Sequence, residues 1–261
     1  WLLGLVLPIK EEKKIFTRSK ILTKQNYFGL LISFISIFVF SYLNCAFYAK
    51  NIARVGLELC LADFLVRGKE SLFFYLFLIP CFLILLQKKL GYMDNIQYIL
   101  RCFSRRIYLF KQLFFLIILS LIISLYYLIC TILTGSFFSS SLNWNLASSI
   151  FYMQTENVYN TSFFNVIALF FLIVFFVLLS VGIFYILLKL LLHNTIICWT
   201  VLFCILFLDY TFFRNYISNI SMDYLNWLEK DLLINLLIVG VENILFIILC
   251  FKLIYKKDFR E

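Results

Sequence analysis

Long apolar runs, separated by shorter polar segments, are the main pattern in this chain of 261 residues. The apolar residues are continuous and do not alternate with polar ones, which favours helices over a transmembrane β-barrel. A helix needs about 20 apolar residues, within a range of roughly 17–25, to cross the hydrocarbon of a bilayer. The runs that meet this requirement are Tyr27–Tyr48, Ser71–Gln87, Leu113–Leu133, Phe163–Leu188, Thr195–Phe213 and Leu232–Phe251. The sequence therefore predicts an all-α polytopic membrane protein with six transmembrane helices.

Two of these six spans lie at the short limit. Ser71–Gln87 contains Pro80, and a kink there is tolerated if neighbouring helices satisfy the freed carbonyl. Thr195–Phe213 reaches full length only if Asp209 lies at its end. With these boundaries the chain divides into an N-terminal segment 1–26, a six-span domain 27–255 that includes a loop 88–112, and a tail 256–261.

The positive charges are distributed unequally between the two sides that the six spans define. Of the 23 Lys and Arg residues, six precede the first span, six lie between the second and third, one follows the fourth and four close the chain. Only six lie on the opposite side. Because short loops rich in Lys and Arg remain in the cytoplasm, both termini and the loop 88–112 are predicted to be cytoplasmic.

The composition agrees with a membrane protein and excludes several other classes. Hydrophobic residues make up 64% of the chain, far above the roughly 45–50% of a soluble domain, so the excess must face the lipid bilayer. The formal net charge of +9 comes mainly from the basic loops and suits anionic lipid, so no nucleic-acid partner is predicted. The eight Cys and the single His193 show no metal-binding spacing, so no metal, cofactor or disulfide framework is predicted.

Three segments outside the spans mix polar with apolar residues. Ile9–Gln25 suits an interfacial helix on the inner membrane surface, although a plain basic flank explains it too. Asn51–Glu70 predicts a second interfacial amphipathic helix at the outer surface. Gly135–Ser162 has no Lys or Arg and is rich in aromatic residues, which are typical of the outer headgroup level; a substrate surface is the alternative.

The loop segment Lys88–Lys111 is the most specific part of the chain, because apolar residues at helical spacing are combined with a basic face. The apolar positions are Leu100, Phe103, Ile107 and Phe110, and the basic ones are Arg101, Arg105 and Arg106. This pattern predicts a short amphipathic helix on the inner surface. A simple stop-transfer cluster is the alternative interpretation.

The same segment carries a resemblance to a known family. Ile99–Lys111 (ILRCFSRRIYLFK) resembles the run that opens the third span in many permease subunits of bacterial type-2 ABC exporters, and Leu253–Phe259 (LIYKKDF) resembles their C-terminal end. The six-span layout is also similar, although Asn51–Glu70 is unusually charged for a simple connector. The resemblance implies a permease in the cell membrane of a bacterium that exports peptides, bacteriocins or lipid-like compounds.

The resemblance also implies partners. A cytoplasmic ABC ATPase, in two copies, would dock on the basic loop, and the second permease chain would be identical or different. Within that loop, the residues expected to contact the ATPase are Arg101, Ser104, Arg105 and Arg106.

Catalytic motifs are absent from the sequence. Gly68-Lys69 lacks the glycine five residues earlier that a phosphate-binding loop requires, so ATP hydrolysis is expected on a separate subunit. Neither paired intramembrane carboxylates nor a metalloprotease or serine-hydrolase motif occurs, so the chain is not predicted to be an enzyme. A non-transporting membrane scaffold or sensor subunit is the alternative function, because the same basic loop would serve it.

One acidic residue lies near the centre of a predicted span. Glu242 is followed by Asn243, and Asn235 lies seven residues earlier on nearly the same helical face. A carboxylate at mid-membrane costs roughly 2.5–3.5 kcal/mol on insertion scales, so it is expected to face protein or water. These residues are candidates for the translocation route or for a contact between permease chains. An internal hydrogen bond to Asn165 or Ser180 is the structural alternative.

Overall fold

Helices form almost all of the chain that the structure describes. The computed structural model describes residues 7–54, 57–94, 104–139, 141–144, 149–156, 162–192, 194–211 and 231–256. Its helices are α1 (Leu7–Ala53), α2 (Leu61–Glu70), α3 (Ile79–Met93), α4 (Arg105–Gly135), α5 (Ile150–Thr155), α6 (Phe163–Leu192), α7 (Thr195–Thr211) and α8 (Asp231–Lys256). A π-helical turn, Phe74–Leu78, precedes α3. Among these residues there is no β-strand, which confirms the all-α prediction.

Five helical stretches within the described residues are long and apolar enough to cross a bilayer. They are Gly29–Ala53, Phe74–Met93, Arg105–Gly135, Phe163–Leu192 and Leu236–Ile254. Each overlaps one predicted span, and the fold is compatible with a membrane location. The remaining predicted span, Thr195–Phe213, corresponds to α7, whose apolar part is Thr195–Leu208. The described helix has 17 residues, which is at the lower limit of the length that crosses a bilayer, roughly 17–25 residues.

α6 is the central helix of the bundle. It packs against α2, α3, α4, α7 and α8, and most of its residues are apolar. Gly182 allows a close approach between α6 and α4, because a Cβ atom at this position would overlap the side chain of Leu116. α1 and α8 are more peripheral and expose rows of large apolar side chains, such as Leu31 and Leu237. In a membrane these rows would face lipid tails, so helix association depends on close packing and interhelical hydrogen bonds.

The bundle has two ends, which we name after an acidic residue at each. At the Asp94 end, the residue that follows α3 contacts the start of α4 and the end of α6. At the Asp63 end, the start of α2 contacts the segment that follows α4. α6 and α8 pack against each other, and the rings of Phe184 and Phe246 lie 5.9 Å apart between their centroids.

Side-chain hydrogen bonds join α1 to α4 inside the bundle. Ser41 Oγ lies 3.2 Å from Thr134 Oγ1, and Cys45 Sγ lies 3.3 Å from the same oxygen. Nearer the Asp94 end, Tyr126 OH donates to Phe34 O at 3.0 Å. Such bonds stabilise contacts between apolar helices where hydrophobic burial contributes little.

Pro80 is accommodated by the π-helical turn Phe74–Leu78. Proline has no N–H, and its ring clashes with the carbonyl four residues earlier, which here belongs to Leu76. The π-helical turn changes the backbone spacing at this point, and the helix then continues through Pro80 to Met93. The second span is therefore longer than the predicted Ser71–Gln87, because the helix absorbs the proline locally.

The interfacial helix predicted within Asn51–Glu70 is not confirmed, because α2 (Leu61–Glu70) is buried against other helices. α2 packs against α4 and α6, and Asp63, Phe64 and Leu65 are almost completely buried. Arg67 remains exposed and lies over the Tyr48 ring, 5.6 Å from its centroid. An amphipathic pattern does not reveal whether the apolar face meets lipid or protein, and here it meets protein on most sides.

Two other predicted surface helices are continuous with spanning helices. α1 is a single helix from Leu7 to Ala53, with no break at residue 26. α4 begins at Arg105 and continues through the predicted span Leu113–Leu133. Continuation is favoured because each added residue gains a hydrogen bond without the cost of a new helical nucleus. Leu100 and Phe103 of the predicted loop helix lie outside the described residues.

Candidate functional site

Four polar side chains from three helices meet at the Asp94 end, and we call them the Asp94 cluster. Lys189 Nζ of α6 forms a salt bridge with Asp94 Oδ2, and Tyr108 OH of α4 donates to Asp94 Oδ1. Gln112 Nε2 donates to Tyr108 OH at 2.6 Å and also lies 3.4 Å from Asp94 Oδ1. The carboxylate therefore connects the ends of α3, α4 and α6.

Local structure places each member of the Asp94 cluster. Asp94 caps α3, because its N–H donates to Leu90 O at 2.8 Å. Tyr108 and Gln112 are four residues apart on α4 and therefore share one face. Lys189 lies in the last turn of α6, where a cation is favoured by the helix dipole.

α7 is joined to the same end of the bundle. Trp199 Nε1 donates to Gln87 Oε1 of α3 at 2.7 Å. Among the residues that the structure describes, this bond and the Asp94 cluster connect α3, α4, α6 and α7. The sequence interpretation used Lys189 only as a topology signal and did not consider Asp94. The sequence did contain an indication that Asp94 has a specific role, because it is the single acidic residue within the basic stretch Lys88–Lys111.

Of the predicted docking residues, Ser104, Arg105 and Arg106 lie at the start of α4, the helix that also carries Tyr108 of the Asp94 cluster. Ser104 caps the helix, because its Oγ accepts a hydrogen bond from Ile107 N at 3.2 Å. Arg105 and Arg106 follow and are exposed. Positive charges at a helix N-terminus oppose the helix dipole, so they do not stabilise α4 itself. Arg101 lies outside the described residues.

A second cluster, at the Asp63 end, comprises Cys60, Asp63, Ser141 and Trp144. Asp63 is fully buried, and its carboxylate accepts hydrogen bonds from Cys60 N at 2.9 Å and from Trp144 Nε1 at 2.8 Å. Ser141 Oγ donates to Cys60 Sγ at 3.0 Å, and Leu61 N donates to Ser141 O at 2.9 Å. The cluster therefore joins the segment before α2 to the segment after α4. Sequence analysis did not identify it.

The side chains of the Asp63 cluster are suited to a structural role. Burial raises the pKa of the Cys60 thiol to about 11, so the group stays neutral at pH 7 and is not an activated nucleophile. Trp144 is also buried and stacks on Phe151, with ring centroids 4.8 Å apart. A buried carboxylate that accepts hydrogen bonds from a backbone amide and an indole is well suited to fixing the conformation of two linkers.

The polar residues predicted inside the last span do not form the expected internal bond. Glu242 is half-buried on α8, and Ser180 Oγ of α6 donates instead to its own helix, to Phe176 O at 2.8 Å. Within the described residues, no hydrogen bond joins Glu242 to Asn165 or Ser180. Asn243 is buried, and its amide has no hydrogen-bond partner there. The side chain of Asn235 lies outside the described part.

Within the described part of the chain, no group of three or more His, Cys, Asp or Glu residues could hold a metal ion. The hydrogen bonds of the Asp94 cluster can transmit movement between helices, and those of the Asp63 cluster can fix the segments before α2 and after α4.

In comparisons with known proteins, no family model, curated protein or solved structure matched this chain.

Proposed function

We propose that this chain is the membrane-spanning permease subunit of a type-2 ABC exporter, working with a separate ATPase subunit. In this proposal it resides in the cell membrane of a bacterium, with the Asp94 end and both termini in the cytoplasm. α7, extended by residues beyond Leu208, completes a sixth span. The full transporter contains two ATPase copies and a second permease chain, and it exports peptides or lipid-like compounds.

The observation that carries the proposal is the basic first turn of α4. Arg105 and Arg106 are exposed at the start of α4, where their charges oppose the helix dipole, and exposed guanidinium groups are suited to contact a partner's surface. Tyr108 lies on the next turn and bonds to Asp94. A partner that moves this turn would therefore move α3 and α6 as well, through the Asp94 cluster. Such a connection is what coupling of ATP hydrolysis to transport requires.

The test is reversal of both charges, Arg105→Glu together with Arg106→Glu. Like charges placed across an interface cost several kcal/mol, so recovery of the ATPase with the tagged permease should fall by at least tenfold. The measurement is the amount of ATPase subunit that co-purifies in detergent. The control is Lys252→Glu, which reverses an exposed charge on α8, a helix that carries none of the predicted docking residues.

Two outcomes would contradict the proposal. If the doubly reversed variant recovered as much ATPase as the wild type, the first turn of α4 would be a lipid-facing basic flank and not a docking site. Failure of the wild-type chain to recover any ATPase, while it remains folded and inserted, would favour a non-transporting scaffold or sensor subunit.

A further inference from the structure

An apolar groove lies at the Asp94 end, between the last turn of α3 and the first turns of α4. We call it the α3–α4 groove. It is lined by Met93, Phe110, Lys111, Phe114, Phe115 and Ile118. Phe110 and Phe114 are 63% and 56% exposed, so the groove is open on one side. Its lining residues Phe114 and Ile118 belong to the apolar part of α4.

Two ammonium groups flank this groove. Lys111 forms part of its wall, and Lys89 Nζ of α3 lies 5.6 Å from the centroid of the Phe115 ring. Lys89 is four residues before Met93 and so lies on the same face of α3 as that groove residue. Both lysines are exposed. The neighbouring Lys88 points elsewhere, since its ammonium lies beside Gly29 of α1.

We propose that the α3–α4 groove binds an anionic phospholipid from the surrounding membrane. Its phosphate lies between Lys89 and Lys111, and an acyl chain packs against Phe114 and Ile118. Basic pockets between transmembrane helices on the cytoplasmic side are suited to anionic headgroups. This inference rests on the membrane orientation proposed above, with the Asp94 end in the cytoplasm, and is independent of the proposed exporter function.

Charge and depth together favour this ligand over others. The floor at Phe114 and Ile118 belongs to the spanning helix, so an occupant must be apolar there, which excludes a soluble anion or a charged protein segment. None of the six residues that line the groove is acidic. The two ammonium groups therefore favour a headgroup with net negative charge over a zwitterionic one.

The first experiment titrates delipidated, detergent-purified protein with phosphatidylglycerol or phosphatidylcholine and counts bound lipid by native mass spectrometry. We expect phosphatidylglycerol to bind more tightly. The double variant Lys89→Gln/Lys111→Gln should weaken its binding roughly thirtyfold. The matched control, Lys88→Gln/Lys252→Gln, removes the same charge from exposed lysines outside the groove and should leave binding within about threefold of wild type.

The second experiment tests the apolar part of the groove. Ile118→Trp should fill the floor and displace the acyl chain, whereas Ile117→Trp changes an exposed neighbour that does not line the groove. Binding of phosphatidylglycerol should be lost in the first variant and kept in the second. The proposed site would be contradicted if the wild type bound both lipids equally. It would also be contradicted if, in either experiment, the groove variant and its control lost the same amount of binding.

Discussion

At the residue scale, Asp63 carries a large desolvation cost, because a buried carboxylate loses its hydration. Charge-assisted hydrogen bonds from Cys60 N and Trp144 Nε1 offset part of that loss. The same bonds fix the segment before α2 against the segment after α4. Trp144 therefore acts both as an apolar side chain that stacks on Phe151 and as a donor to a charge.

We expect Trp144→Phe to lower the free energy of unfolding by about 1–3 kcal/mol, since it removes a donor from a buried carboxylate while an aromatic ring remains beside Phe151. The control is Trp199→Phe, which removes a donor from the neutral, part-buried amide of Gln87 and should cost only about 0.5–1.5 kcal/mol. Thermal unfolding in detergent measures both. An equal loss in the two variants would show that the charge on Asp63 does not matter.

At the scale of the elements, α4 combines two roles along one continuous helix. Its first turn is basic and exposed, and its next turns bear Tyr108 and Gln112, which bind Asp94. Farther along, it packs against α1, α2 and α6. Any displacement of its N-terminus is therefore transmitted to the neighbouring helices by direct contacts.

We expect Lys189→Met to destabilise the bundle, because Asp94 would lose its cationic partner while its carboxylate stayed in place. The side chains of Lys189 and Asp94 are 18% and 34% exposed, so solvent screening limits the loss to about 1–2 kcal/mol. The charge swap Asp94→Lys/Lys189→Asp should recover part of it. Thermal unfolding checks this expectation. A swap that is less stable than Lys189→Met would mean that Tyr108 and Gln112, which need an acceptor at residue 94, determine stability at this end.

At the scale of the whole molecule, the asymmetry of charge between the two ends determines the orientation that we propose. The Asp94 end bears Lys88, Lys89, Arg105 and Arg106, whereas residues 136–156 after α4 contain no Lys or Arg. The positive-inside rule therefore predicts that the Asp94 end lies in the cytoplasm.

Single cysteine probes test this orientation in a background without native cysteines. Ser104→Cys and Ser136→Cys are suitable, because both serines are exposed and they lie at opposite ends of α4. On intact cells, a membrane-impermeant maleimide should label the cysteine at residue 136, and the one at residue 104 should react only after permeabilisation. Labelling in the reverse pattern would invert the topology and place the basic turn of α4 outside the cell.

The sequence by itself determined the helical class, the positions of five helices long and apolar enough to cross a membrane, and the unequal distribution of charge, because each depends on the local length and composition of a run. It could not show that α2 is buried, since an apolar face has the same pattern whether it meets lipid or protein. Nor could it show the bonds of Asp63 with Trp144 and of Asp94 with Lys189, whose partners are 81 and 95 residues apart. Only tertiary packing decided these pairs, because it determines which helix ends are in contact and which charged groups are buried together.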